Sequence, residues 1–237
     1  MKYEDSALAA IAGYVDTLGF VALFGLFTAH VTGNFVLIGA EVANVGQGVL
    51  VKIMAFPAFI AGVAVSSVLV KTLCFAGTRR NARLLYCFQA VLLLGFCLSG
   101  VYVSPVVSID TAPVIICGML GAAAMGVQNA HSRLVSRPGV PNTVMTGNVT
   151  QAVLDAVDIA SPGVTAEAKA AARVRLGKTL PTVLCFGVGA IGGAVVYAHV
   201  SFWALLLPLV SLLWLAAFTR GGQPVSEARV TTAGPVK

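Results

Sequence analysis

The fold class is decided by the run at residues 179–199, TLPTVLCFGVGAIGGAVVYAH, and by the run that follows it at 201–219, SFWALLLPLVSLLWLAAFT. Neither run contains Lys, Arg, Asp or Glu. A helix needs about 20 apolar residues to cross the hydrocarbon core of a bilayer. Each run is therefore predicted to form one membrane-spanning helix.

Four earlier apolar runs have a similar length, and the composition of the whole chain agrees with them. Of the 237 residues, 58% are hydrophobic and 10% are charged, whereas a soluble domain carries about 25% charged residues. We expect an all-α polytopic membrane bundle, with one transmembrane domain at 1–220 and a disordered cytoplasmic tail at 221–237. The four earlier spans are predicted at 7–28, 50–72, 83–103 and 112–131.

Two weaker apolar segments, 32–45 and 143–160, leave open an alternative count of eight spans. Lys and Arg are concentrated in cytoplasmic loops. The loop before residue 83 is basic, and 104–111 has no Lys or Arg. Basic residues flank 143–160 on both sides, so we expect this segment to stay on the cytoplasmic side or to re-enter from it. The predicted path has six crossings with both termini in the cytoplasm.

The basic balance of the chain, a formal net charge of +6, comes from these loop clusters. A nucleic-acid partner is therefore not expected, and the lipid bilayer is the expected environment. A homodimer is left open, because small six-span proteins often dimerise.

The two weaker segments carry the same tripeptide, Thr32-Gly33-Asn34 and Thr146-Gly147-Asn148. Each follows a Gly-containing apolar span and precedes a span with an early Lys and Pro. If each half holds three spans, about 7–103 and 112–219, the halves must have opposite orientations in the membrane. Such inverted repeats occur in many secondary transporters, with the substrate site at the repeat interface.

The chemistry of Thr-Gly-Asn suits a helix that is broken or re-entrant. Gly permits a sharp change of direction, while Thr and Asn can cap the first N–H groups of a new helix. Two such helix starts facing each other would favour a polar or anionic solute. The alternative is that each tripeptide is only an interfacial turn with its cap.

Asp16 is the most informative single residue, because it lies about ten residues into the first predicted span. An ionisable group at that depth is costly and is usually functional, and Asp16 could carry a coupling proton. The alternative is a structural carboxyl bonded to Tyr14, Thr17 or an amide of another helix. The predicted solute-binding residues are Asp16, Thr32, Gly33, Asn34, Gln128, Asn129, Thr146, Gly147 and Asn148.

Other polar residues are interpreted as structural. His30 and His131 are expected at span ends, Glu41 at the outer surface, and Asp155 with Asp158 on a solvated helix face. The five cysteines lack metal-ligand spacing, and we find no nucleophile–base pair or phosphate-binding loop. No catalytic residue, metal or cofactor is therefore predicted, and an enzyme is the least favoured class.

Four stretches together resemble the YoaK-like family of bacterial inner-membrane proteins of unknown function. They are GYVDTLGF at 13–20, TGN at 32–34, GVQNA at 126–130 and MTGNVT at 145–150. The resemblance covers nearly the whole chain except the tail. It implies a multi-span protein of the inner membrane, and it implies no substrate.

The favoured hypothesis is a secondary transporter or permease for a small solute, with its site between two inverted repeats. The alternative is a membrane accessory, assembly or sensor protein that transports nothing. The two differ in whether Asp16 and both Thr-Gly-Asn segments converge on one cavity.

Overall fold

A computed structural model describes residues 4–43, 48–73, 78–108, 111–135 and 140–218. All regular structure within these ranges is helical. The predicted tail at 221–237 lies outside them. The helices are α1 Glu4–Ala22, α2 Gly33–Val42, α3 Val49–Leu73, α4 Thr78–Val103, α5 Ala112–Leu134, α6 Met145–Ala160, α7 Ala166–Val200 and α8 Leu206–Phe218, with a 3-10 turn at Ser201–Leu205 between the last two.

Five stretches within the described ranges are long and apolar enough to cross a membrane. They are Glu4–Ala22, Val49–Leu73, Arg80–Val103, Ala112–Leu134 and Ala166–Phe218. The last one contains 53 residues and holds α7, the 3-10 turn and α8. The helix breaks at Ser201, which has a φ of 54°. The boundary expected near residue 200 is therefore present, and a count of six spans depends on treating the 3-10 turn with α8 as one span.

Two helix ends differ from the prediction. The first predicted span ran to residue 28, but α1 ends at Ala22 and the chain is irregular up to Thr32, with positive φ at Phe24 and Gly25. The fifth predicted span began at 179, but α7 begins at Ala166 and has 35 residues. At about 1.5 Å per residue that helix exceeds the roughly 30 Å hydrocarbon core, so its basic first turns extend beyond the apolar region.

Helix α1 packs on α7 with backbone against backbone. Gly189 faces the carbonyl of Ala10, and Gly193 faces the carbonyl of Tyr14. Residue numbers increase in the same direction on both helices along this contact, so the two helices run parallel there. A Cβ at either glycine would overlap the facing carbonyl, so small residues are what permit this approach.

Helix α5 packs on α3 in the same way, with Val51 beside Gly118 and Phe59 beside Gly126. This pair is also parallel. The contact of Gly13 on α1 with Phe186 on α7 corresponds to that of Gly126 on α5 with Phe59 on α3. In the reverse direction, the contact of Gly189 on α7 with Ala10 on α1 corresponds to that of Gly62 on α3 with Ala123 on α5. Helix α1 therefore stands to α7 as α5 stands to α3.

Helix α4 runs antiparallel to both α5 and α8. Tyr86 near its start stacks on His131 near the end of α5. At the same end of α4, Arg83 Nε donates to the carbonyl of Ala216 near the end of α8. The start of α1 lies there too, because Tyr86 is hydrogen-bonded to Glu4. Helices α1, α4 and α7 therefore run one way and α3, α5 and α8 the other, in agreement with the alternating path predicted from the loop charges.

Candidate functional site

Asp16 organises the irregular segment that follows α1. Its side chain is buried, and Oδ1 accepts hydrogen bonds from the backbone N–H groups of Thr28 and Ala29, each at 2.7 Å. The Thr28 hydroxyl also donates to Oδ1 at 3.3 Å. These bonds satisfy backbone groups that a continuous helix would have satisfied internally. They give the physical reason why α1 stops at Ala22.

His30 completes the environment of this carboxylate. His30 Nδ1 lies 2.7 Å from Asp16 Oδ2, and its ring meets the ring of Phe186 on α7 edge to face, with centroids 5.4 Å apart. His30 lies outside the candidate spans. Its hydrogen bond to Asp16 raises the pKa of the imidazole above the ordinary value; burial lowers this pKa, and the negative charge of Asp16 raises it further. Its interpretation as a residue ending the first span is therefore wrong, because the helix stops earlier and the imidazole turns back to Asp16.

The expected structural partners of Asp16 also differ. Tyr14 was one candidate, but its hydroxyl donates to the carbonyl of Ala204 at 3.0 Å. The actual partners are backbone N–H groups of the irregular segment and the side chains of Thr28 and His30.

In the first Thr-Gly-Asn, Asn34 makes the structural contacts. Its side chain is buried, with Oδ1 accepting from the N–H of Phe27 and Nδ2 donating to the carbonyl of Phe27, both at 2.9 Å. Thr32 precedes α2 at the N-cap position but makes no side-chain capping bond, and it is exposed. Gly33 is partly exposed and lies against the ring of Phe27. The capping role predicted for Thr32 is therefore wrong.

The second Thr-Gly-Asn repeats this arrangement. Asn148 is buried, and its Nδ2 donates to the carbonyl of Pro141 at 2.6 Å, seven residues earlier, the same separation as between Asn34 and Phe27. Pro141 has no N–H, so the second bond of the first half has no equivalent here. Thr146 and Gly147 lie in the first turn of α6 and are exposed.

Gln128 and Asn129 connect α5 to the segment before α6. Gln128 Nε2 donates to the carbonyl of Leu8 at 2.7 Å and to Asn142 Oδ1 at 3.2 Å. Asn129 Nδ2 donates to the hydroxyl of Thr143 at 2.8 Å. Asn129 thus contacts the chain just before α6, as Asp16 contacts the chain just before α2.

Gln89 is a member of this network that the sequence analysis missed. Its Nε2 donates to Gln128 Oε1 at 2.8 Å, and both side chains are buried. The signal that could have found it is an amide inside an apolar run, since polar groups at that depth need a partner.

Five of the nine predicted residues belong to two separate clusters, so the convergence on a single cavity that the transport hypothesis required is not found. Asp16 and Asn34 belong to the first, and Gln128, Asn129 and Asn148 to the second. Leu8, which binds the second cluster, and Asp16 lie eight residues apart on α1, about 12 Å along its axis. The clusters therefore lie at different depths of the bundle.

Each half also contains an ion pair between its short helix and the long helix that follows. Glu41 of α2 pairs with Lys52 of α3, and both side chains are buried. Lys52 Nζ also donates to the carbonyl of Phe24 at 3.0 Å. The expectation that Glu41 lies at the outer surface is therefore wrong, because a buried cation from the next helix neutralises it.

In the second half, Asp155 of α6 is fully buried and accepts from Arg175 Nη2 at 2.7 Å and from Arg175 Nε at 3.0 Å. The expectation of a solvated face is wrong for Asp155. Glu41 and Asp155 each lie seven residues after the Asn of their Thr-Gly-Asn, so the two carboxylates occupy equivalent places in the two halves.

Asn148, a member of the second cluster, lines a cavity of about 440 Å³ between α6 and α7. Lys178, several neutral polar groups and Arg175, whose charge is balanced by Asp155, reach it, which suits a polar or negatively charged solute. Its lining residues are Val140, Pro141, Val144, Gly147, Asn148, Gln151, Arg175, Lys178 and Thr179. In the part of the chain that the structure describes, no three His, Cys, Asp or Glu side chains are grouped as a metal site would require.

Comparison with known proteins gives a family and one relative. A family model described as "Protein of unknown function (DUF1275)" matches residues 6–218. The chain is 29% identical over 155 residues to a protein of Bacillus subtilis (strain 168) named "UPF0700 transmembrane protein YoaK". The match covers 63% of this chain and 64% of that relative. No solved structure matches the chain.

Proposed function

The chain belongs to the DUF1275 family of multi-pass membrane proteins, and from this premise we propose that it is a secondary transporter or permease for a small polar solute. The observation that carries the proposal is the reciprocal packing of α1 on α7 and of α5 on α3 through equivalent glycines. Each half adds a buried polar cluster at its interrupted segment. Irregular backbone is tolerated at membrane depth where it is buried in protein or lines a cavity.

The reciprocal contacts support an inverted repeat composed of α1–α4 and α5–α8. If the 3-10 turn and α8 count as one span, each half contains three spans, and the second half enters the membrane from the opposite side. We place the chain in the bacterial inner membrane with both termini in the cytoplasm, on the strength of the basic loops. The first Thr-Gly-Asn is then nearer the outside and the second nearer the cytoplasm.

In the proposed mechanism, the two parallel helix pairs move against each other. Each pair takes one helix from each half, so a rocking motion between α1–α7 and α3–α5 would expose the two clusters in turn. The solute would meet Asn148 and Gln128 on the cytoplasmic side and the Asp16 cluster on the other. Lys178 at the α6–α7 cavity favours a negatively charged solute, whereas the charge of Arg175 is balanced by Asp155.

The test uses the purified chain in liposomes that are loaded with a defined mixture of small carboxylates, inorganic phosphate, amino acids and sugars. Mass spectrometry follows the loss of each compound, with protein-free liposomes as the background. At least one compound should leave faster in the presence of the protein. A release profile identical to that of protein-free liposomes would overturn transport and favour the accessory or sensor alternative.

A pair of substitutions makes the test specific to the cavity. Gly147 lines the cavity and its Cβ position meets only a side-chain atom of Val144, so Gly147→Phe fills the space without disturbing helix packing. Gly163 lies in the loop between α6 and α7 with no neighbour near its Cβ position. Release should slow with Gly147→Phe and be unchanged with Gly163→Phe.

A further inference from the structure

The two halves differ at one chemically important position. In the first half, the carboxylate of Asp16 is bonded to His30 and the preceding backbone. In the second half, the equivalent contact joins two neutral side chains, Asn129 and Thr143. The next residue, Val144, is also not titratable. A titratable pair therefore occurs in the first half where the second half has neutral groups.

We propose that His30, held by Asp16, is a proton-binding site, and that this proton is the coupling ion of transport. The coupling rests on the proposed function, whereas the proton site itself does not. In this proposal the imidazole of His30, rather than the carboxylate of Asp16, binds the coupling proton.

The hydrogen bonds of Asp16 argue for this transfer. Asp16 Oδ1 accepts two backbone N–H groups at 2.7 Å, and Oδ2 meets His30 Nδ1 at the same distance. A proton on Oδ1 would place a donor opposite these backbone N–H groups and leave buried groups without partners. Oδ2 instead faces a ring nitrogen of His30, which can itself hold the proton that the two atoms share. The hydrogen bonds of Asp16 Oδ1 therefore stabilise the interrupted segment after α1.

The geometry of His30 suits reversible protonation. A carboxylate oxygen can only accept, so His30 Nδ1 carries a hydrogen and donates it to Asp16 Oδ2. This leaves Nε2 as the nitrogen that gains or loses the transported proton. The structure gives Nε2 no hydrogen bond to the described residues, and the side chain is 34% exposed, so a proton can reach it.

The surroundings of His30 connect its charge to helix packing. The contacts that the structure gives its ring are with Asp16 from α1, Phe27 from its own segment and Phe186 from α7. Asp16 is the one charged group among these three. Phe186 also provides the carbonyl that faces Gly13 in the contact between α1 and α7. A shift of α7 along α1 would therefore change the solvent exposure of His30. Coupling requires such a connection between protonation of the imidazole and movement of the helices.

The site is tested by titrating the histidines of the full-length chain in lipid nanodiscs by nuclear magnetic resonance. The chain has three histidines, His30, His131 and His199, and the signal lost in His30→Gln identifies the first. That signal should titrate above the ordinary histidine pKa of about 6.5. Asp16→Asn should lower the midpoint by about one pH unit or more, because a nearby negative charge favours the imidazolium.

A control carboxylate separates this local effect from general loss of charge. Glu41→Gln removes another buried carboxylate of the same half and should leave the His30 midpoint unchanged. A His30 signal that does not titrate between pH 5 and 9, or that ignores Asp16→Asn, overturns the proposal. If Asp16→Asn does not fold, Asp16→Glu keeps the charge but moves it, and an unchanged midpoint in that variant also counts against the pairing.

Failure of the two proposals gives different results. A normal His30 titration in a chain that releases no solute overturns the transporter and leaves the proton site in place. If the His30→Gln variant releases solute and its release responds to a pH gradient as strongly as that of the unmodified chain, the coupling role of His30 is overturned. The transporter proposal is then unaffected.

Discussion

At the scale of single residues, the asparagine of each Thr-Gly-Asn holds the chain where a helix is interrupted. Asn34 bonds both the N–H and the carbonyl of Phe27, whereas Thr32 makes no capping bond. Asn34→Ala should therefore lower the free energy of unfolding by about 1–3 kcal/mol, because it leaves backbone groups unpaired. Thr32→Ala should change it by about 0.5 kcal/mol or less.

The measurement for this pair is unfolding of the purified chain in mild detergent, followed by the loss of helical circular dichroism. Both variants change the same tripeptide, so they share any effect of their position in the bundle. An equal loss for the two substitutions would mean that the tripeptide acts as a simple helix cap, as the sequence alone had suggested.

The sequence identified Asp16 as important but could not name its partners. Its depth in an apolar run signals a buried carboxyl, and that prediction holds. Its partners are the backbone N–H groups of Thr28, the last residue of the predicted span, and of Ala29, together with the imidazole of His30. Hydropathy also placed Glu41 at the surface, because the buried cation that neutralises it, Lys52, lies on the next helix.

At the scale of helices, glycines decide how closely α1 and α7 approach. Gly189 faces the carbonyl of Ala10, so a Cβ there would overlap backbone atoms that cannot move independently. Gly189→Ala should cost about 1–3 kcal/mol, the usual range for overpacking. Gly187 lies on the same helix with nothing near its Cβ position, so Gly187→Ala should be neutral or stabilising by up to about 1 kcal/mol.

Thermal unfolding of both variants, in the same detergent and at the same protein concentration, measures the difference. A loss of stability in Gly187→Ala as large as in Gly189→Ala would show that α7 is sensitive to any substitution. It would remove the evidence that the glycine contacts set the packing.

Helix ends were predicted less well than helix existence, for a physical reason. The six apolar runs mark where lipid-facing side chains begin and end, and a helix can continue past them into water. Helix α7 does so, starting at Ala166 with Lys169 and Arg173 in its early turns. Helix α1 does the opposite and stops at Ala22, since Asp16 offers its backbone an alternative set of hydrogen bonds.

At the scale of the whole molecule, the proposed repeat is visible in the sequence only as a three-residue match with similar surroundings. The packing adds equivalences that no local pattern contains, such as Phe59 on Gly126 and Phe186 on Gly13. These contacts join residues far apart in the chain, so composition and periodicity could not predict them. They bear on the proposed function because two halves of opposite orientation would present similar faces to the two sides of a membrane.

The orientation of the halves is tested by labelling single cysteines in cells with a membrane-impermeant maleimide, after the native cysteines have been replaced. Val107, between α4 and α5, is 86% exposed, and Gly163 lies in the loop between α6 and α7. If α5 crosses the membrane and α6 does not, the two positions face opposite sides. Val107→Cys should then be labelled in intact cells and Gly163→Cys only after permeabilisation.

The same pair of positions distinguishes six spans from eight. If α6 crossed as well, both cysteines would face the same side and label together, and the second half would no longer be the inverted copy of the first. Helix α6 has 16 residues and is not among the five candidate spans of the described residues, and its Asp155 is bonded to a cation of α7. Labelling of both positions from outside would overturn the inverted arrangement on which alternating exposure of the two clusters depends.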